Sequence, residues 1–107
     1  MTTLTIREKR LGLHLPVRVR GMDASGTPFT ETTRTRNLSG RGICFESRRR
    51  LGVGTRLTLS VDLPEGLRPR FGNRATYRVR CVVCRVERLD PERVFRIGGR
   101  FLSELKS

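Results

Sequence analysis

Apolar residues recur at every second position in several stretches of the chain. Leu13, Leu15, Val17 and Val19 alternate with His14, Pro16, Arg18 and Arg20. Leu57, Leu59, Val61 and Leu63 alternate with Thr58, Ser60 and Asp62, and Phe95, Ile97, Gly99 and Phe101 alternate with Arg96, Gly98 and Arg100. Side chains of an extended strand point in turn to its two faces, so each stretch predicts a strand with one face in a core and the other in water. A longer run, Thr76–Glu87, starts with Tyr77, Val79, Cys81 and Val83 and then changes phase to Cys84 and Val86. A β-bulge near Val83 accounts for that change. Shorter strands are expected around Phe29–Arg36 and Ile43–Glu46.

Turn-forming residues fill the gaps. Asp23-Ala-Ser-Gly26 joins the first strand to the second, Asn37 to Gly42 the second to the third, and Gly52-Val-Gly54 precedes the Leu57 strand. Asp90-Pro91-Glu92 reads as a hairpin turn in which Pro91 fixes one φ angle. Pro64–Asn73 reads as the longest loop. The tail from Leu102 to Ser107 has room for no more than the start of a short helix. Strands with short turns and no amphipathic helix predict an all-β barrel or sandwich. The length, 107 residues, suits one domain with a modest core.

Charge narrows the kind of partner. Lys plus Arg number 23 against 10 Asp plus Glu, a net charge of +13, and Lys9 and Lys106 are the lysines. Guanidinium groups make paired contacts with phosphates and guanine edges and stack on bases. The balance therefore points to a nucleotide, a nucleic acid or an acidic protein, although many single arginines serve only to solvate the surface. The three cysteines, Cys44, Cys81 and Cys84, are an odd number, and no apolar run resembles a leader or a membrane span. A reducing cytoplasm is the expected location, without membrane insertion.

Two segments carry candidate chemistry. Arg7, Lys9 and Arg10 form a basic arm directly before the first strand, and Asn37-x-Ser39-x-x-Gly42 occupies the turn after the second. Arginine matches guanine O6 and N7 with paired donors, and the Asn amide offers both a donor and an acceptor. Gly42 permits a positive φ or a close backbone approach. Arg41, inside the same loop, is within reach of a phosphate. The competing role of Asn37 and Ser39 is to form local turns.

Other clusters carry less. Cys81-x-x-Cys84 with Cys44 and His14 makes only a nominal metal quartet, because positions three apart on a strand face opposite ways. Buried thiols, a surface His14 and no metal are expected. Arg48-Arg49-Arg50 reads as a solvated turn, and Arg78, Arg80 and Arg96 as lining one outer face. Paired carboxylates, a phosphate-cradling loop before a helix and a nucleophile elbow are all missing from the sequence, so the chain is not expected to be an enzyme.

The order and spacing of these segments resemble the PilZ domain family. The resemblance rests on the basic arm, Leu13-His-Leu-Pro-Val-Arg-Val19, Asn37-x-Ser39-x-x-Gly42, Val53-Gly-Thr-Arg-Leu57 and Ile97-Gly-Gly-Arg-Phe101. It implies a six-stranded antiparallel barrel that binds cyclic di-GMP. Residues 1–12 would be a flexible basic arm, 13–102 the barrel and 103–107 a tail with at most a short helix. In the family an Arg-x-x-x-Arg arm holds phosphates and stacks on guanine, while the Asp/Asn and Ser of the loop bond a guanine edge. Residue matching gives Arg10 the second arginine role and gives Asn37, Ser39 and Gly42 the loop roles. Ile6 stands where the first arginine belongs, and Arg7 lies one residue out of register. One lost charge-assisted pair costs about 1.5–3 kcal/mol, on the order of ten- to a hundredfold in affinity.

The resemblance thus implies a cytoplasmic cyclic di-GMP receptor that needs no cofactor and relays ligand binding to a protein partner. Ile6 leaves open a PilZ-shaped docking domain with a degenerate site. A basic nucleic-acid-binding barrel is the third reading. It is disfavoured, and nucleic acid is not expected as a partner, because the aromatic residues that such barrels stack on single strands are sparse, with one Tyr, five Phe and no Trp.

Overall fold

The computed structural model describes residues 13–89 and 93–105. The alternating stretches are strands: β1 Pro16–Met22, β2 Pro28–Leu38, β3 Gly42–Ser47, β4 Arg56–Asp62, β5 Thr76–Leu89 and β6 Val94–Glu104. They close into a barrel in the order β1-β2-β3-β6-β5-β4, and every neighbouring pair is antiparallel. Closure leaves no free sheet edge, and it turns the apolar face of every strand onto one axis.

The core follows the predicted parity. Val17 and Val19 of β1, Leu57, Leu59 and Val61 of β4, Val79, Cys81 and Val83 of β5 and Ile97 of β6 are all buried. Phe45 and Leu38, the largest fully buried side chains, fill the space beneath β3 and the end of β2. The register of β5 on β6 shifts between Val83 and Arg85, so Cys84 is the extra residue of the expected bulge. A second shift, between Thr35 and Asn37 on β2, sets Arg36 out of register with β3.

The chain departs from the expected pattern in three places. Glu65–Phe71 is a 3-10 helix rather than a loop, ended by Gly72 at φ 71° and Asn73 at φ 59°. Its Phe71 is buried and packs at a tilt against Tyr77, with ring centroids 4.9 Å apart, and Tyr77 meets Phe101 edge-on at 5.6 Å. The segment therefore lays aromatic cover over the barrel flank. Pro69 lies within it and the turn is short, so no helical period shows in the sequence.

Secondly, no helix starts at Leu102, where the sequence left room for at most the start of a short one. β6 continues to Glu104 because Ser103 and Glu104 still pair with Arg80 and Val79. Thirdly, Leu13 to Leu15 precede β1 instead of belonging to it. Buried Thr35 holds them: its Oγ1 donates to the Leu13 carbonyl and accepts from the Leu15 N–H at 2.9 Å. Exposed His14 has Nδ1 3.2 Å from the Thr35 carbonyl.

The Asp23–Gly26 turn forms as expected. Asp23 Oδ1 accepts from the Ser25 hydroxyl at 2.7 Å and from the N–H groups of Ser25 and Thr27 at 3.0 Å, with Gly26 at φ 82°. The arm, residues 1–12, and the Asp90-Pro91-Glu92 turn lie outside the described residues. Among those described, no helix is long and apolar enough to cross a membrane.

Candidate functional site

The loop between β2 and β3 is built by Ser39. Its N–H donates to the Gly42 carbonyl at 3.0 Å, and its Oγ accepts from the N–H groups of Arg41 and Gly42, each at 3.2 Å. The Ser39 hydroxyl is thus engaged in shaping the loop. The Asn37 amide is different. It stands half-buried at the end of β2, opposite Cys44, and makes no hydrogen bond among the described residues. Of the two residues that share the turn-forming role in sequence terms, only Ser39 takes it.

Gly42 answers the question its residue type posed. Its φ is not positive. A Cβ there would lie 2.6 Å from the Gly99 carbonyl oxygen, so glycine is required by the close approach of β3 to β6. The same crossing holds Arg41, whose carbonyl accepts from the Phe101 N–H at 2.8 Å.

Beside this loop lies a cleft of about 300 Å³, lined by Ser39, Arg41, Gly42, Ile43, Cys84, Arg85, Gly98, Gly99 and Arg100. Three glycines remove side chains from its floor, and three arginines rise around it. Arg41 comes from the loop, Arg85 from just past the β5 bulge, and Arg100 from β6, where it pairs with Gly42 in register. No carboxylate is among the described lining residues. Guanidinium groups brought this close repel one another, and a bound anion relieves that repulsion. A wider hollow of about 670 Å³ lies elsewhere, between the Ala24 turn and Phe95, and holds none of the loop residues.

Asn37 is not among the residues lining the cleft, whereas Ser39, Arg41 and Gly42 are. Arg7 and Arg10 lie outside the described residues. The first described residue of that segment, Leu13, is fixed to Thr35, two positions before Asn37. The base of the arm is therefore pinned next to the start of the loop. Arg85 and Arg100 are site residues that motif reading did not single out. The signals for them were the phase change at Cys84 and the Gly98-Gly99 pair.

The remaining candidates fall away from the cleft, with one exception. Cys44 and Cys81 are buried, and desolvation pushes the Cys81 thiol up to about 12, so it stays protonated and inert. Cys84, expected to be buried, is exposed in the cleft because the bulge turns it outward. Among the described residues no group of His, Cys, Asp and Glu is placed to hold a metal ion. Arg48, Arg49 and Arg50 are exposed; Arg49 pairs with Asp23 at 3.5 Å and lies over the Phe29 ring at 5.4 Å. Arg96 does not share a face with Arg78 and Arg80. It lies on β6 opposite Glu87, beyond the β5 bulge and 3.6 Å from that carboxylate, with its Nε buried and without a hydrogen-bond partner among the described residues.

Comparison with known proteins agrees with the fold. Among solved structures the fold is similar to the Bacillus subtilis inhibitor of motility (MotI/DgrA), with a TM-score of 0.64 and 18% identity. The match covers 90% of this chain but only 41% of that one, so the likeness is one of fold over part of a longer protein. No curated protein gives a significant sequence match. The PilZ domain family model matches residues 5–106. The chain belongs to the PilZ domain family.

Proposed function

We propose that this domain is a cytoplasmic receptor for cyclic di-GMP, which binds at the cleft beside the Asn37–Gly42 loop and passes its occupancy to a protein partner. PilZ domains are ligand-binding and adaptor domains, and the reading is of a binding module and not an enzyme. The observation that carries it is the convergence of Arg41, Arg85 and Arg100 on a glycine-floored cleft with no carboxylate among its described lining residues. At about 300 Å³ the cleft is at the small end of ligand sites, which run from roughly 300 to 1,000 Å³. It suits one guanine and its phosphate. Arg7 and Arg10 would cover the rest of the ligand, from a segment whose base Thr35 holds beside the loop. The unspent Asn37 amide is then available to a guanine edge.

Isothermal titration with cyclic di-GMP tests this, run on the wild type, Arg10→Ala and Ser39→Ala. Saturable heat in the wild type that weakens in both variants is expected. No heat and no amide chemical-shift change at near-millimolar ligand would sink the reading.

Ile6 supports a second reading, in which the ligand site is degenerate and the domain docks an acidic protein without the dinucleotide. Ile6→Arg restores the family spacing. If binding is measured only in that variant, the second reading holds.

A further inference from the structure

The barrel wall opposite the cleft carries a different array of arginines. β1 and β4 are neighbours there, flanked by β2 and β5. Their outward positions lie in register across the four strands. Arg18 faces Thr32 on one side and Ser60 on the other, and Ser60 faces Arg78. In the next row Arg20 faces Thr30 and Thr58, and Thr58 faces Arg80. Arg34 and Arg56 extend the array at its ends. Each inner row thus reads hydroxyl, arginine, hydroxyl, arginine.

Among the described residues these guanidinium groups have no counter-charge. Among the described residues Arg18, Arg20, Arg56, Arg78 and Arg80 make no ion pair, while Arg36, Arg49, Arg74 and Arg96 do. The one carboxylate on the wall, Asp62, sits at its edge, 3.5 Å from the Thr76 hydroxyl. Elsewhere the chain mixes its charges. Here it segregates them on a strand surface.

The spacing fits a particular anion. Successive outward residues on one strand are about 6.7 Å apart, and adjacent strands are about 4.8 Å apart. Arg18 and Arg20 therefore repeat at close to the pitch of successive phosphodiesters. Arg78 and Arg80 repeat it two strands away, with the hydroxyls of Ser60 and Thr58 between them. Arginine and hydroxyl side chains are the usual donors to phosphate oxygens. The outward face carries no aromatic ring, so bases have nothing to stack on.

We propose that the β2-β1-β4-β5 wall binds the phosphate backbone of double-stranded nucleic acid without regard to sequence. Scarcity of aromatic residues argues against single-strand recognition and leaves this backbone mode untouched. The site is on the other side of the barrel from the cyclic di-GMP cleft and stands whether or not that cleft is occupied.

The test is fluorescence anisotropy of the full chain with a labelled duplex of arbitrary sequence, across 50 to 200 mM salt. Backbone binding has a log–log salt slope of about −0.9 per phosphate neutralised, so four arginines should weaken wild-type binding about a hundredfold over this range. The variant R18S/R20S/R80S should weaken only a few fold over the same range, starting from a lower affinity. The variant R48S/R50S/R70S loses the same charge elsewhere and should keep the wild-type slope. Cyclic di-GMP titration of R18S/R20S/R80S should be unchanged, which separates this site from the cleft. Equal slopes in the two variants, no duplex binding at 50 mM salt, or binding to phosphatidylserine vesicles without binding to duplex would each overturn the proposal.

Discussion

Two walls of one barrel use arginine in opposite ways. On the β3-β6 side, Gly42, Gly98 and Gly99 strip the surface of side chains, and Arg41, Arg85 and Arg100 stand around the resulting hollow. On the β1-β4 side every outward position has a side chain, and arginines alternate with hydroxyls on an even surface. The first arrangement can enclose a small anion and desolvate its contacts. The second can only lie against a long one. Glycine placement, more than arginine number, separates a pocket from a patch.

The comparison can be broken most forcefully at the cleft. The variant R85A/R100A should bind cyclic di-GMP at least a hundredfold more weakly, since each charge-assisted pair is worth about 1.5–3 kcal/mol. It should retain the duplex affinity carried by the opposite wall, with both read by titration of the same preparation. Loss of duplex binding alone would mean that the walls are not distinct.

Thr35→Val is the next largest change. It leaves the Leu13 carbonyl and the Leu15 N–H without their partner and should cost about 1–3 kcal/mol in denaturant unfolding. The same substitution frees the base of the arm, so ligand affinity should fall along with stability, although Thr35 lines neither wall.

Cys84 offers a gentler probe. It is the exposed thiol and lies in the cleft, whereas Cys44 and Cys81 are buried. Alkylation by iodoacetamide should modify Cys84 first, and saturating cyclic di-GMP should slow that reaction. Mass-mapped labelling at an unchanged rate would place the ligand elsewhere.

The smallest expected effect concerns the Asp23 turn, remote from the cleft. Hydrogen bonds from the Ser25 hydroxyl, then from the Thr27 N–H, hold the Asp23 carboxyl below its ordinary 3.8. A lowered carboxyl pKa adds stability above 3.8, and that contribution is lost as pH falls through the folded value. Asp23→Ala should therefore lower Tm slightly at neutral pH, and the difference should vanish in acid.

Much of this molecule was legible in the order of its residues. Period-two stretches marked the strands because a barrel buries one face of each, and the phase change after Val83 marked the bulge at Cys84. The 3-10 helix was hidden because Pro69 and two glycines mimic a loop, while burial of Phe71 against Tyr77 is a tertiary contact. β6 outran its alternating pattern because pairing with Arg80 and Val79, and not its own side chains, extends it. Around the cleft, the spacing pointed to Ser39 and Gly42, whereas Asn37 of the same motif does not line it. Arg85 and Arg100 were not readable, because they meet only when β5, β6 and β3 lie side by side. The outer wall was half visible: Arg78 and Arg80 share it, but Arg96, expected beside them, lies past the bulge with Glu87.

The most direct measurement is a chemical-shift titration of the wild-type chain with cyclic di-GMP. Binding at the cleft predicts saturable amide shifts at Arg41, Gly42, Arg85, Gly98, Gly99 and Arg100, with Arg18, Thr58, Ser60 and Arg78 silent. Shifts confined to the β1-β4 wall, or none at near-millimolar ligand, would contradict it.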